Sequence, residues 1–75
     1  MDKEKVEYYM NLPYRLVVVP DVDEGGYGAY YPDLKGCITS ANRAEDIVLM
    51  AEDAKRCWIE AALEEGIEIP EPEKV

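Results

Sequence analysis

The chemistry open to this chain is limited first by what its 75 residues lack, because the sequence contains no histidine. Without an imidazole there is no Ser-His or Cys-His nucleophile and no histidine-based metal site. The two cysteines, Cys37 and Cys57, give zinc too few thiolate ligands within one chain. A disulfide between them stays open, but we expect two buried thiols in a reduced cytoplasm. We therefore predict no catalytic residue, no cofactor and no metal site.

Carboxylates are the one abundant group that can still support catalysis, since the chain has 17 Asp and Glu residues. A two-metal nuclease needs several of them around Mg²⁺ ions about 4 Å apart. The most strand-like segment, Tyr14 to Val19, contains no acid. A nuclease set would have to combine loop residues such as Asp21 and Asp33 with acids on the outer face of a helix. The sequence therefore favours a protein that is not an enzyme.

Net charge narrows the choice of partner. Eight Lys and Arg against 17 Asp and Glu give a formal charge of −9, so the surface repels a phosphate backbone and attracts a basic partner. No apolar run approaches the ~20 residues of a membrane span. The first residues, Met1 to Lys5, are not followed by the apolar stretch of a signal peptide. We expect a cytoplasmic protein that binds neither nucleic acid nor membrane directly.

The acids that can meet such a partner fall into two groups. Asp21, Asp23 and Glu24 precede a Gly pair in a predicted hairpin turn, and a second group, Glu52, Asp53 and Glu60, lies on the outer face of a predicted helix. Acids in a turn and on a solvated helix face are also ordinary for structural reasons alone. It is less ordinary that nearly all charges on this helix face are negative, because like charges at helical spacing repel. We predict these six residues as partner-binding residues.

The segments that position these acids follow from local patterns. The spacing of apolar side chains in residues 1–12 predicts a short helix that ends at Pro13. A β-branched run follows it and ends at Pro20, which predicts the first strand. Gly25 and Gly26 allow the chain to reverse. The predicted strands are residues 14–19, 27–31 and 37–41.

Residues 43–65 carry the strongest helical period in the chain. Asn42 is the predicted N-cap, with Glu45 as its capping-box partner, and Gly66 is the predicted left-handed C-cap. The stripe expected to face the sheet is Ala44, Ile47, Val48, Ala51, Ala54, Trp58, Ala61 and Ala62, with Trp58 giving the largest buried area.

After Gly66, residues 67–70 can add a short fourth strand, and residues 71–75 are expected to form a flexible tail. The prediction is one α+β domain over residues 1–75. It contains a three-stranded antiparallel sheet, one long helix, a short N-terminal helix and possibly the fourth strand.

Two features predict self-assembly. The first strand carries apolar residues on both faces, while one long helix can cover only one of them, so the other must be covered by the N-terminal segment or by another subunit. Leu49, Ile59 and Leu63 also fall off the main helical stripe. We expect a homo-oligomer, a dimer or a tetramer.

In this order the motifs resemble the HicB-type antitoxins over about residues 8–73. The motifs are Pro20-Asp21, Gly25-Gly26-Tyr27, Pro32-Asp33-Leu34-Lys35-Gly36-Cys37, the helix Ala51-Glu52-Asp53-Ala54-Lys55-Arg56-Cys57-Trp58-Ile59-Glu60-Ala61, and Gly66-Ile67-Glu68-Ile69-Pro70-Glu71-Pro72. The resemblance implies a partial RNase H-like fold. It also implies a role as the antitoxin of a small basic HicA-type ribonuclease toxin that cleaves mRNA.

Many members of that family carry a C-terminal DNA-binding module, and this chain stops where the module would begin. The resemblance implies toxin binding, while this departure and the acidic charge, which leaves no basic stripe for phosphate contacts, lead us to expect no direct DNA binding. Two other functions stay open: a solitary structural or adaptor domain that assembles with itself and has no toxin, and the nuclease discussed above.

Overall fold

A computed structural model describes residues 2–72 of the protein, and the end of the predicted tail, residues 73–75, lies outside the described part. The elements follow the predicted order of helix, three strands and helix, so the α+β class is confirmed. The elements are α1 (Lys3–Met10), β1 (Val17–Pro20), β2 (Tyr27–Tyr30), β3 (Ile38–Ala41) and α2 (Ala44–Glu65).

The three strands form one antiparallel sheet in the order β1-β2-β3. In its central row Val18 opposes Ala29, and Ala29 opposes Thr39. The first strand begins three residues later than predicted. The Tyr14 N–H donates instead to the Leu12 carbonyl at 2.9 Å, a tight turn that keeps Tyr14 out of the ladder.

Helix α1 begins at Asp2, whose carboxylate accepts hydrogen bonds from the N–H groups of Glu4 and Lys5. Its last turn contains no basic residue. The missing cation comes from α2, because the Lys55 ammonium donates to the Met10 carbonyl at 3.2 Å. Lys55 is only 8% exposed, and its Nζ also lies 5.2 Å from the centre of the Tyr31 ring.

The buried face of α2 is rotated from the predicted stripe. Its buried residues are Ile47, Ala51, Lys55, Ile59 and Ala62. Ile59, predicted to lie off the stripe, is fully buried, and Val48 is exposed. The cause is that α2 packs on β2 and β3 on one side and on α1 on the other. Trp58 is only partly buried, and its Nε1 donates to the Lys35 carbonyl at 2.9 Å.

The sequence predicts a capping residue at each end of α2, and the structure agrees with one of the two. The predicted N-cap, Asn42, is wrong by one residue: the cap is Arg43, in extended conformation and without a side-chain capping hydrogen bond, because a guanidinium has no acceptor atom for a backbone N–H. The predicted C-cap is confirmed. Gly66 has a φ of +71°, and the Ile67 N–H donates to the Ala62 carbonyl at 2.8 Å.

The fourth strand is not formed, since the described residues after Gly66 include no strand. Side-chain contacts hold the segment instead of a ladder. Ile69 is buried in the core, and the Tyr14 hydroxyl donates to the Pro70 carbonyl at 2.6 Å. Burial raises the pKa of Tyr14 to about 12.

Both cysteines are free, but only Cys37 is buried. Burial raises the pKa of the Cys37 thiol, while the Lys55 charge opposes that rise. The expectation of two buried thiols is wrong for Cys57, because it lies outside the buried face of α2.

Candidate functional site

The turn between β1 and β2, residues 21–26, holds the first group of predicted acids and is called the acidic tip here. The carboxylate of Asp21 accepts hydrogen bonds from the N–H groups of Asp23 and Glu24, both at 3.1 Å. Asp21 therefore shapes the turn, while the side chains of Asp23 and Glu24 are exposed. Between the acids, Val22 is 89% exposed. The tip thus presents two exposed carboxylates around one apolar side chain.

The acidic tip is exposed but held in a fixed position. Gly25 and Gly26 both have φ values near +80°, at +82° and +81°. A Cβ on Gly26 would stand 2.6 Å from the Ala41 carbonyl oxygen, so the turn packs against the end of β3. This contact places the tip beside the start of α2, where Glu45 and Asp46 add acids in the first helical turn.

The second group of predicted acids lies further along α2. Glu52 and Asp53 are exposed, and Glu60 is partly buried. The Arg56 guanidinium lies among them and donates to the Glu7 carboxylate of α1 at 2.8 Å. That hydrogen bond raises the pKa of Arg56, with smaller contributions from Glu60 and Asp53. The helix acids are therefore partly balanced by a cation.

The structure brings each acid group together but keeps the two groups on different elements. Three acids share one turn, and three lie along the middle of α2, with Glu45 and Asp46 between them in sequence at the start of the helix. The predicted residues thus form two separate surfaces and no single pocket.

The carboxylates considered for nuclease chemistry are separated. Asp21 lies in the connection before β2 and Asp33 in the connection after it, so the strand holds them at opposite ends. Asp33 instead faces Arg15, with 3.6 Å between guanidinium and carboxylate. Among residues 2–72, no group of three or more His, Cys, Asp or Glu side chains is placed to hold a metal ion.

The uncovered apolar face that the sequence predicts for the first strand is present, and it extends across the whole sheet. The face of the sheet away from α2 carries Val17, Val19, Tyr30 and Ile38, and is called the open face here. Tyr30 opposes Val17 on one side and Ile38 on the other, which makes one apolar row across all three strands. Alternation in the strands was the available signal, but only the register shows which side chains are neighbours.

A second apolar surface lies at the start of α2. Leu49 is 68% exposed and Met50 is also exposed. With Ser40 and Ala41 of β3 they line a shallow pocket. Leu49 was predicted to lie off the helical stripe, and the structure places it outside the buried face of the helix.

No helix in the described part of the chain is long and apolar enough to cross a membrane.

Comparisons with known proteins support the fold described above. The family model described as the HicB-like antitoxin of bacterial toxin-antitoxin systems matches residues 14–75. A chain of a solved HicA3 and HicB3 toxin-antitoxin complex is 35% identical, with a TM-score of 0.69 over 83% of this chain and 70% of that one. No protein of curated function matched the sequence. Since the family model covers most of the chain, the protein belongs to the HicB-like antitoxin family.

Proposed function

We propose that this protein is an antitoxin that binds a small, basic HicA-type ribonuclease toxin and neutralises it by covering the toxin's RNA-binding surface. The observation that carries the proposal is the family membership, joined to the similarity with a chain from a HicA3 and HicB3 complex. The net charge of −9 adds physical support. An RNA-binding surface is basic, and an acidic protein can compete with RNA for it.

The acidic tip supplies the attraction in this proposal. Asp23 and Glu24 are exposed in a turn that the Gly26 contact with β3 fixes in place. Fixed charges facing a partner of opposite sign raise the association rate and set the orientation of approach. The helix acids Glu52, Asp53 and Glu60 extend the negative field along α2, at lower strength because Arg56 lies among them.

Exposed apolar side chains give the complex its lifetime. Val22 stands between the acids of the tip, and Leu49 and Met50 lie near the start of α2. A stable interface has an apolar centre with a polar rim, and most of its binding energy comes from a few buried contacts. The acidic tip and the exposed apolar residues near the start of α2 match that arrangement.

The proposed mechanism is binding without catalysis. Asp21 and Asp33 lie at opposite ends of β2, which argues against a two-metal nuclease. The surface charge argues against direct contact with nucleic acid. The protein acts in the cytoplasm, where mRNA is cleaved, and it works as a homo-oligomer.

The test is the association rate with a HicA-type toxin encoded beside this protein. The double variant Asp23→Lys and Glu24→Lys is expected to slow association by about tenfold and to weaken its dependence on salt. Asp21 is kept, because it forms the turn. The control variant, Glu64→Lys with Glu65→Lys, makes the same change in net charge at the far end of α2.

Equal rates for both double variants would remove the acidic tip from the interface. The same measurement on Glu52→Lys, Asp53→Lys and Glu60→Lys tests the helix acids. If no complex forms with the wild-type protein, the solitary self-assembling domain becomes the better assignment. The open face supports that alternative, and light scattering after co-expression with the toxin separates the two.

A further inference from the structure

Helix α1 covers only one half of α2, and the contacts between the two helices show where this cover stops. Three contacts follow one another along the pair: the cavity shared by Asp2 and Leu63, the ion pair of Glu7 and Arg56, and the hydrogen bond from Lys55 to the Met10 carbonyl. The two helices therefore run antiparallel. Since Lys55 lies in the middle of Ala44–Glu65, α1 ends where only half of α2 has been covered.

The side of α2 that packs on α1 continues beyond the end of α1. Residues seven apart lie on the same side of a helix, because seven residues make almost two turns. Val48 is seven residues before Lys55, and Leu49 is seven residues before Arg56. Lys55 is 8% exposed at the end of α1, whereas Val48 is 49% and Leu49 68% exposed. One side of α2 is therefore covered at its end and bare at its beginning.

The bare stretch, residues 44–54, is called the uncovered half of α2 here. Its side facing the sheet is already occupied, because Ile47 and Ala51 are buried in the core. A helical stretch of this length spans about 16 Å at ~1.5 Å per residue, slightly more than the 8 residues of α1. The uncovered half therefore has room for a second helix of about two turns, packed as α1 is packed on the other half.

The charge of the uncovered half identifies its occupant. Residues 44–54 contain four acids and no Lys or Arg. Arg43, which precedes them, forms an ion pair with Glu45, so its charge offsets only one of the four. A basic amphipathic helix gains from burying Val48 and Leu49 and from the opposite charge beside them. A second copy of this chain, itself at −9, brings like charges to the site and is repelled.

We propose that a short, basic amphipathic helix of the toxin partner packs on the uncovered half of α2, end to end with α1, and buries Val48 and Leu49. This inference rests on the proposed function and deepens it, because it names the kind of element in the partner that the antitoxin recognises. The end of α1 limits how far the partner's helix can extend along α2. The acidic tip packs on the end of β3, beside the start of α2, so one partner can contact both surfaces.

Matched substitutions test the proposal through the dissociation rate of the full chain from the toxin encoded beside it, measured by surface plasmon resonance. Val48→Ala with Leu49→Ala is expected to raise this rate about tenfold and to leave the association rate nearly unchanged, because it removes apolar contacts and no charge. The control, Val19→Ala with Ile38→Ala, removes side chains of similar exposure, 48% and 71%, from the open face. It is expected to leave dissociation unchanged. Circular dichroism confirms that both variants fold.

Hydrogen exchange gives a readout that needs no substitution. On toxin binding the amides of residues 48–52 are expected to exchange more slowly, while those of residues 59–63, beside α1, keep their rates.

Three results would overturn the inference, and they separate it from the proposed function. A toxin complex with an unchanged dissociation rate in the Val48 and Leu49 variant, or without new protection at residues 48–52, would overturn the inference alone. Self-association of the wild-type chain that this variant abolishes would make a second copy the occupant. No complex between toxin and wild type would overturn the proposed function and this inference together.

Discussion

The two connections of the sheet lie at opposite ends of β2 and are built in opposite ways. The connection before β2 is the acidic tip, where Val22 is 89% exposed. The connection after β2 places Leu34 in the core at 0% exposure. Both reverse the chain between antiparallel neighbours, but only one of them contributes to the core. The comparison teaches that a turn outside the core is free to carry charge for a partner.

Hydrogen bonds hold the connection after β2 in place. The Leu34 N–H donates to the Tyr31 carbonyl at 3.0 Å, and the Cys37 N–H donates to the Leu34 carbonyl at 2.9 Å. The Trp58 Nε1 of α2 donates a hydrogen bond to the carbonyl of Lys35, the residue that follows Leu34. This connection is therefore held by backbone, core and helix together.

The largest expected effect compares the apolar residues of the two connections. Leu34→Ala is expected to lower the free energy of unfolding by about 2–5 kcal/mol, because it leaves a cavity in the core. Val22→Ala is expected to change it by less than about 0.5 kcal/mol, because the side chain is in solvent. Urea denaturation of both variants makes the measurement. Similar losses would show that the acidic tip is part of the folding core after all.

A smaller effect tests whether the acidic tip, although exposed, is fixed. Gly25→Ala and Gly26→Ala both place a side chain at positive φ, which costs about 1–2 kcal/mol. Only Gly26→Ala also brings a Cβ to 2.6 Å from the Ala41 carbonyl. We expect the free energy of unfolding to fall further for Gly26→Ala. Equal losses in thermal or urea unfolding would mean that the tip does not pack on β3.

The smallest effect concerns pH at the buried connection. Burial raises the pKa of Tyr31 above 10.0, and Cys37 and Glu52 add to the rise. The folded state holds this proton more tightly than the unfolded chain does. The stabilisation is therefore complete below pH 10 and is lost as the pH rises through the folded-state pKa.

Tyr31→Phe is expected to flatten the fall in stability above pH 10, with little change at neutral pH. Tyr27→Phe, at the other end of β2, keeps the Tyr31 hydroxyl and serves as the control. Urea midpoints between pH 8 and 11 provide the measurement. An unchanged alkaline profile for Tyr31→Phe would contradict the prediction. Some decline remains from Tyr14 and Cys37, because burial raises the pKa of both groups.

Local patterns predicted most of the fold. The β-branched run, the Gly pair and the helical period gave three strands and a long helix in the right order, and Gly66 ended α2 as expected. The buried face of α2 was wrong because its orientation depends on α1, a contact between distant segments that spacing within one helix cannot show. The fourth strand failed for a similar reason, since the Tyr14 hydroxyl and the core hold that segment.

The candidate site was predictable in part. Exposed acids in a turn could be read from Asp21 to Gly26, but their fixed position depends on the approach of Gly26 to β3. The apolar row across the open face depends on which residues of neighbouring strands oppose each other. That pairing follows from the register of the ladder, which a single sequence does not determine.

The hydrogen bond between Tyr14 and Pro70 also ties the segment after α1 to the end of the described chain. The Tyr8 hydroxyl donates to the Glu71 carboxylate at 3.5 Å, so α1 and the last described residues lie side by side. A short linker can join such ends into a circularly permuted chain. Opening that chain between Gly25 and Gly26 would keep every acid and release the turn, which would separate the contribution of charge from that of preorganisation.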